Sequence, residues 1–360
     1  MDFSKRLTLI AFSLSLFAVW GCAGFGPTTV SRDRFDYTTA ISDSWKHQML
    51  LNMIKIRYGD SPVFLDVSSV ISQYQIAGTI NLGATINNNP WSTSQSLGGL
   101  GMYVDRPTIT YTPVMGDKFA RSLMAPIPPP AILSLLQGNY PVDLIFRLMV
   151  HEVNGIRNRF GGAARAQRAD PEFYALIEKM RKVQSAGAIG MRFTKKDKDK
   201  EESSVLVLRG RRDPAMESLS AEIRTMLGLD PQANEFQVVY GAVPRNDKEM
   251  AILTRSFLEI IVDLAADIEV PAVHVAEKRV SPTHVEKTPT GETVLPLVRI
   301  YSSSEPPGDA YLSIRYRNVH FWIDDKDLGS KTLFSFLLFI SNLMETGEKS
   351  PAPVVTIPTN

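Results

Sequence analysis

The chain has 360 residues, of which 44% are hydrophobic and 21% are charged, and its formal net charge is +1. This balance is typical of a folded globular protein and argues against long disordered regions. Because 39 basic residues face 38 acidic ones, there is no charge excess for a nucleic acid or an anionic membrane surface, and we expect no nucleic-acid partner.

The first residues predict an export signal. Lys5 and Arg6 form a short basic segment, and the apolar stretch 7–20 has the length of a signal-peptide core but is shorter than the roughly 20 residues of a membrane span. The letters "VWGC" that end it resemble the lipobox of bacterial lipoproteins. The resemblance implies cleavage between Gly21 and Cys22, and acylation of Cys22 with fatty acids such as palmitate.

Cys22 is the only cysteine of the chain. A single thiol cannot form an internal disulfide, so lipidation gives an exported chain a reason to keep it. Ala23 follows it, whereas an aspartate there is typical of retention in the inner membrane. The resemblance therefore implies a lipid anchor in the outer membrane of a Gram-negative bacterium, on the periplasmic side. The alternative is an ordinary secreted protein with a buried or leftover cysteine.

The segment behind the cysteine changes from tether to helix. Residues 22–34 contain two glycines and Pro27, and we predict a flexible tether there. From Phe35 to Tyr58 apolar residues recur at spacings of three and four, which predicts one amphipathic helix. The turn-forming run 59–62 is expected to end it.

Apolar and polar residues alternate within the next segment, residues 76–111. Ile76, Ile80 and Leu82 alternate with polar residues, and the alternation returns at 97–104 beyond a polar loop, which predicts a long β-hairpin. One interpretation is a hairpin that packs one face against the core. The other is an amphipathic hairpin donated to a barrel built by several subunits, for which strands of roughly 9–11 residues suffice.

The rest of the chain mixes helical and strand patterns. Prolines predict an extended connection before position 141, and a charged run near 195–202 is expected to be a solvated loop. Helices are predicted at 142–156, 170–184, 214–227, 247–268 and 333–344, and strands at 189–193, 205–208, 236–240, 297–301, 311–317, 321–323 and 352–360. Without repeats or regular βαβ alternation, this order predicts one α+β domain over 35–360, with a weak boundary near 161–162.

No pattern assembles a catalytic or metal site. The triplet 59–61, Gly-Asp-Ser, is similar to the nucleophile block of GDSL-type esterases, but no histidine follows an aspartate at the spacing of that family, so a turn explains it better. The histidines are isolated and form no His-Glu-x-x-His pair; they are His47, His151, His274, His284 and His320. We expect no catalytic residue, no metal and no cofactor.

Two segments near the C-terminus superficially resemble ligand loops. Residues 324–327 contain three aspartates but lack the spacing of a calcium loop, and we predict that these acidic residues cap the following helix. Residues 329–332 lack the adjacent glycine and lysine of a phosphate-binding loop.

Three longer stretches together resemble a family of bacterial envelope lipoproteins. They are "SWKHQMLLNMIKIRYGDSPVFLDVSSVISQYQ", "TRSFLEIIVDLAADIEVP" and "YLSIRYRNVHFWIDDKDLGSKTLFSFLLFISNL". The resemblance extends over most of the chain behind Cys22. It implies the location and a single fold, and it implies no activity.

These observations predict a non-enzymatic interaction or assembly component of the cell envelope. Its expected partners are the lipid bilayer, through acylated Cys22, and either an envelope protein or a second copy of itself. Two alternatives stay open. One is a subunit of an oligomeric pore or export channel that uses the 76–111 hairpin, and the other is a periplasmic hydrolase without a recognisable motif.

Overall fold

The structure is a computed structural model of the protein and describes residues 25–71, 74–85, 94–105, 108–162, 166–194, 203–208, 213–287 and 291–343. The signal peptide, the cleavage position at Gly21 and the lipid attachment at Cys22 lie outside these residues and stay predictions. The same holds for the charged run 195–202 and for the strand expected at 352–360.

The chain divides into two compact units, residues 1–50 and residues 51–360. The described part of the first unit is helical, and the described strands belong to the second. Helices and mixed sheets together confirm the predicted α+β class.

The elements are numbered in chain order. The helices are α1 (Phe25–Arg57), α2 (Gly116–Phe119), α3 (Pro129–Gln137), α4 (Val142–Met149), α5 (Pro171–Ser185), α6 (Pro214–Met226), α7 (Phe257–Ala265), α8 (Ala272–Ala276) and α9 (Leu328–Leu343). The strands are β1 (Leu65–Ile71), β2 (Tyr74–Thr85), β3 (Ser94–Asp105), β4 (Thr108–Pro113), β5 (Val150–Val153), β6 (Ile156–Arg157), β7 (Ile189–Thr194), β8 (Ser203–Leu208), β9 (Glu235–Tyr240), β10 (Glu249–Thr254), β11 (Tyr301–Ser303), β12 (Ala310–Tyr316) and β13 (Val319–Asp324). A π-helical turn, Ala120–Met124, follows α2.

Helix α1 begins at Phe25 rather than at Phe35, so residues 25–34 of the predicted tether are helical. Pro27 fits the first turn of a helix, where its missing N–H has no intrahelical partner to lose. No other glycine or proline follows before Gly59, so nothing interrupts the helix. Gly59 has a φ of +75° and ends the helix as predicted.

A six-stranded sheet forms the centre of the second unit. Its strand order is β6-β5-β10-β9-β8-β7, and neighbouring strands are antiparallel except for the parallel pair β9 and β10. Helix α3 contacts β7, β8 and β9, and α5 contacts both α4 and α6. The helices bury their apolar stripes toward these neighbours, as α5 does with Phe173, Leu176, Ile177, Met180 and Val183.

A smaller antiparallel sheet has the order β11-β13-β12. Its middle strand alternates buried and half-buried residues, and helix α9 contacts it. Helix α9 begins at Leu328 rather than near Leu333, and its buried residues confirm the predicted core helix. None of the helices within the described ranges is long and apolar enough to cross a membrane.

Two predicted helices are wrong in part. In each, some of the residues form a strand instead, because their apolar spacing is compatible with either structure. The helix expected at 142–156 ends at Met149, since β5 pairs with β10 and turns into β6 through Asn154 and Gly155. Both turn residues have positive φ, as a two-residue hairpin turn requires. The helix expected at 247–268 is instead strand β10 followed by helix α7.

Helix α7 starts at a capping box, which the apolar spacing of the segment does not predict. The Ser256 hydroxyl accepts a hydrogen bond from the Glu259 N–H, and the Glu259 side chain accepts one from the Ser256 N–H.

The connection before position 141 differs from the predicted extended segment. Its residues 129–137 form α3, with Pro129 at the first helical position.

Candidate functional site

The predicted hairpin is present and is part of a longer ribbon. β2 pairs with β3 from Tyr74 opposite Asp105 to Thr85 opposite Ser94, and β1 pairs with β4 in the same antiparallel sense. We call β1 to β4 the ribbon, and β2 with β3 the hairpin. β3 begins at Ser94 rather than at Leu97, so each hairpin strand has 12 residues. At about 3.4 Å per residue, such strands are roughly 40 Å long.

The hairpin has no third strand within the described part of the chain. It is a two-stranded sheet, separate from the six-stranded and three-stranded sheets, and the extensive contacts of β2 and β3 are with each other. Half of the backbone hydrogen-bonding groups of each strand therefore point to an outer edge at which no other described strand pairs. Such edges favour pairing with another chain, and an isolated hairpin is at best marginally stable in water.

Exposed apolar side chains surround the base of the ribbon. β4 is exposed along its whole length, and Tyr111 within it is 52% exposed. The exposed apolar residues of this region are Val63, Leu65, Ile109, Tyr111 and Met115. Several neighbouring apolar residues at a surface are typical of a protein or membrane contact.

A second feature is a buried cluster of two arginines and two aspartates. Arg159 Nη2 lies 2.6 Å from Asp267 Oδ2, and Arg255 Nη1 lies 3.1 Å from Asp263 Oδ2. The four side chains are between 1% and 9% exposed. Asp263 also accepts a hydrogen bond of 2.6 Å from the Gly161 N–H, so the cluster fixes this segment to α7.

The ionisation of this cluster follows from burial and from mutual attraction. Burial raises the pKa of Asp267 although Arg159 opposes this shift, and burial lowers the pKa of Arg255. Burial also disfavours the charge of Arg159, but the attraction of the two aspartates outweighs it and raises the pKa. The two positive and two negative charges balance one another, which favours a structural role for the cluster.

The positions 161–162, where a weak boundary is predicted, are closely packed. A Cβ atom added to Gly161 would lie 2.6 Å from the Cβ atom of Ala266, and one added to Gly162 would lie 2.5 Å from the ring of Phe160. Only glycine fits at this approach of the chain to the end of α7.

Two of the histidines have side-chain hydrogen-bond partners. Tyr58 Oη lies 2.7 Å from His274 Nδ1, and Glu286 Oε2 lies 3.0 Å from His284 Nε2. Within the described ranges, no group of three or more His, Cys, Asp and Glu residues could hold a metal ion.

The acidic residues before α9 cap it, as predicted. Asp327 Oδ1 accepts a hydrogen bond of 3.0 Å from the Ser330 N–H, and Asp327 Oδ2 accepts one of 2.8 Å from the Ser330 hydroxyl. The segment 329–332 lies in the first turn of α9, where Lys331 bonds Asp325 at 2.6 Å. In the Gly-Asp-Ser triplet, Asp60 accepts hydrogen bonds from Tyr316 and Arg317, so this aspartate has a structural partner.

Comparison of the chain with protein-family models, with characterised proteins and with solved structures gives no match. The candidate sites therefore rest on the sequence and geometry alone. They are the ribbon and, outside the described residues, the lipobox that the sequence predicts at Gly21 and Cys22.

Proposed function

We propose that this protein is a lipid-anchored, non-enzymatic interaction or assembly component of the cell envelope. Cys22 would carry the anchor in the outer membrane, and the folded units would face the periplasm. The observation that carries the proposal is the ribbon, in which the hairpin has no third strand within the described residues and the base carries exposed apolar side chains.

The anchor is tested by Cys22→Ser. Without the thiol no acyl chain can be attached, and each buried methylene of such a chain contributes about 0.8 kcal/mol to membrane binding. We expect the variant to leave the membrane fraction on cell fractionation, whereas Ala23→Ser, which keeps the cysteine, stays there. Equal amounts of both variants in the membrane fraction would contradict lipid anchoring.

The interaction surface is tested by photo-crosslinking in cells. Tyr111 on the ribbon and Tyr240 at the end of β9 are exposed to a similar extent, 52% and 54%. A benzophenone side chain at Tyr111 is expected to form specific adducts, whereas one at Tyr240 is not. Adducts at Tyr240 alone would place the partner surface elsewhere.

A second candidate function is a subunit of an oligomeric pore or export channel. The observation that favours it is the length of the hairpin strands, 12 residues each, because a membrane strand needs only roughly 9–11. Copies pairing edge to edge would close a barrel without open edges. The pore requires protease protection of the hairpin in membranes and conductance in planar bilayers, and a hairpin cleaved in intact envelopes would leave only the first function.

A further inference from the structure

We propose that a cleft beside the C-terminal end of α1 binds a phosphate group. The cleft has a volume of about 440 Å³ and lies between the end of α1 and the turn that follows α8. Arg57, Lys278 and Arg279 line it, together with Tyr58 and Ser281, and none of its described lining residues is acidic. It therefore concentrates positive charge in a chain whose total charge is almost balanced.

Arg57 is the centre of the argument because its charge is buried without an ion-pair partner. The residue is 7% exposed, and it donates hydrogen bonds to the carbonyl oxygens of Ser281 at 2.7 Å and Ile268 at 3.4 Å. No carboxylate of the described chain forms a salt bridge with it, and its Nη1 has no hydrogen-bond acceptor there. A buried guanidinium that lacks a counter-ion is costly, and a bound anion would remove this cost.

The charge of Arg57 is only partly compensated by its neighbours. Burial lowers the pKa of Arg57, and the electrostatic effects of Tyr58 and Asp267 only partly oppose this shift. The carboxylate of Asp267 is already engaged by Arg159, at 2.6 Å and 3.0 Å. The C-terminal dipole of α1 contributes partial negative charge, but it supplies no acceptor for Nη1.

The opposite wall of the cleft supplies further donors. Lys278 is exposed, has a φ of +57° and forms no ion pair with the described residues. The turn that carries it is fixed by hydrogen bonds from the N–H of Lys278 to Val275 and from the N–H of Arg279 to His274. Arg279 shares its charge with Glu277, 2.6 Å away, so Arg57 and Lys278 are the two cations left for a ligand.

This donor set fits the oxygens of a phosphate better than a single carboxylate. Arg57 Nη1, the Lys278 ammonium and the Ser281 hydroxyl all belong to residues that line the cleft, so three separate donors are available for the three or four acceptor oxygens of a phosphate. Inorganic phosphate and the headgroup of an anionic phospholipid offer the same chemistry. Both are tested below, and neither test depends on the function proposed above.

The test is calorimetric titration of the full-length protein in a neutral detergent, with inorganic phosphate replacing chloride at constant ionic strength. We expect saturable binding that is weakened about tenfold or more by Lys278→Glu and by Arg57→Gln. Lys278 is exposed, so its variant keeps the test valid if Arg57→Gln fails to fold. Lys248→Glu, the same charge change at an exposed lysine outside the cleft, is the matched control and should bind like the unmodified protein.

Short-chain lipids identify the source of the phosphate. Displacement of bound phosphate by dioctanoyl-phosphatidylglycerol, but not by the corresponding phosphatidylcholine, would support the site and assign it to a headgroup. Phosphate binding without displacement would support the site and assign it to the free ion. The proposal is overturned if phosphate shows no saturable binding, or if Lys248→Glu weakens binding as much as Lys278→Glu.

Discussion

Arg255 and Asp263 form a buried ion pair, with 3.1 Å between Nη1 and Oδ2 and side chains that are 1% and 2% exposed. Asp263 also lies 3.4 Å from Arg159. Asp263→Asn removes the negative charge and leaves the two arginines with Asp267 alone. Because breaking a buried pair leaves an uncompensated charge, we expect the free energy of unfolding to fall by about 3–5 kcal/mol, measured by urea denaturation.

The matched control for this change is Asp117→Asn. Asp117 also pairs with an arginine, Arg121, at 3.3 Å, but both side chains are exposed. Exposed pairs contribute only about 0–1 kcal/mol. Similar small effects for both variants would contradict the structural role of the buried cluster.

Asp327→Ala removes the cap of α9 and should lower the free energy of unfolding at pH 7 by about 1 kcal/mol. Hydrogen bonds from Ser330 lower the pKa of Asp327. The contribution of the charged cap is therefore present above about pH 4, the ordinary range of an aspartate, and is lost as the pH falls through the lowered value. Urea denaturation at several pH values should show the gap between the two proteins narrowing in acid, and a gap that widens there would refute the cap.

Gly155→Ala tests the turn between β5 and β6. Gly155 has a φ of +88°, and a Cβ atom there would meet no other atom, so the cost is purely conformational. We expect a loss of about 1–2 kcal/mol in the free energy of unfolding. Gly308→Ala also adds a methyl group in open space but without a positive φ, and should be nearly neutral. Equal effects at both glycines would argue against the turn geometry.

Trp322→Ala tests whether β13 belongs to the core or serves a partner. The Trp322 ring stacks on Tyr301 with 4.8 Å between centroids, and its neighbours Phe321 and Ile323 are fully buried. We expect thermal denaturation to show a loss of about 2 kcal/mol, because Trp322 is only half-buried. Unchanged stability together with a lost partner in pull-down experiments would assign this strand to an interface instead.

Local patterns in the sequence correctly predicted the elements whose structure depends least on contacts with distant parts of the chain. The period of two at Ile76, Ile80 and Leu82 predicted the hairpin, whose two strands are adjacent in the chain and pair with each other. The helix over β10 and α7 was wrong because Met250, Leu253 and Phe257 keep a helical spacing by coincidence, while pairing with β5 and β9 decides the structure. The Ser256 capping box was a readable signal that marks the true start of the helix.

The buried ionic cluster and the cleft could not be predicted from local patterns. Arg159 and Asp267 are 108 positions apart, and no short window of sequence joins them. Asp263 lies in α7 and Asp267 two residues beyond its end, and their spacing of four does not reveal the arginines that pair with them. Arg57 is read from the sequence as a basic residue at a helix end, and only the fold shows that its charge is buried.

The native mass of the full-length protein, extracted from outer membranes in a mild detergent, shows whether the ribbon holds the protein in a complex. The protein is compared with a variant in which residues 65–113, the whole ribbon, are replaced by a short glycine turn; Leu65 pairs with Pro113, so the two ends lie next to each other. If the ribbon is the interaction surface, the unmodified protein should run as a defined complex, with itself or with a partner, and the variant as a monomer. A monomer in both cases, or a complex that survives removal of the ribbon, would show that the ribbon is not the interaction surface.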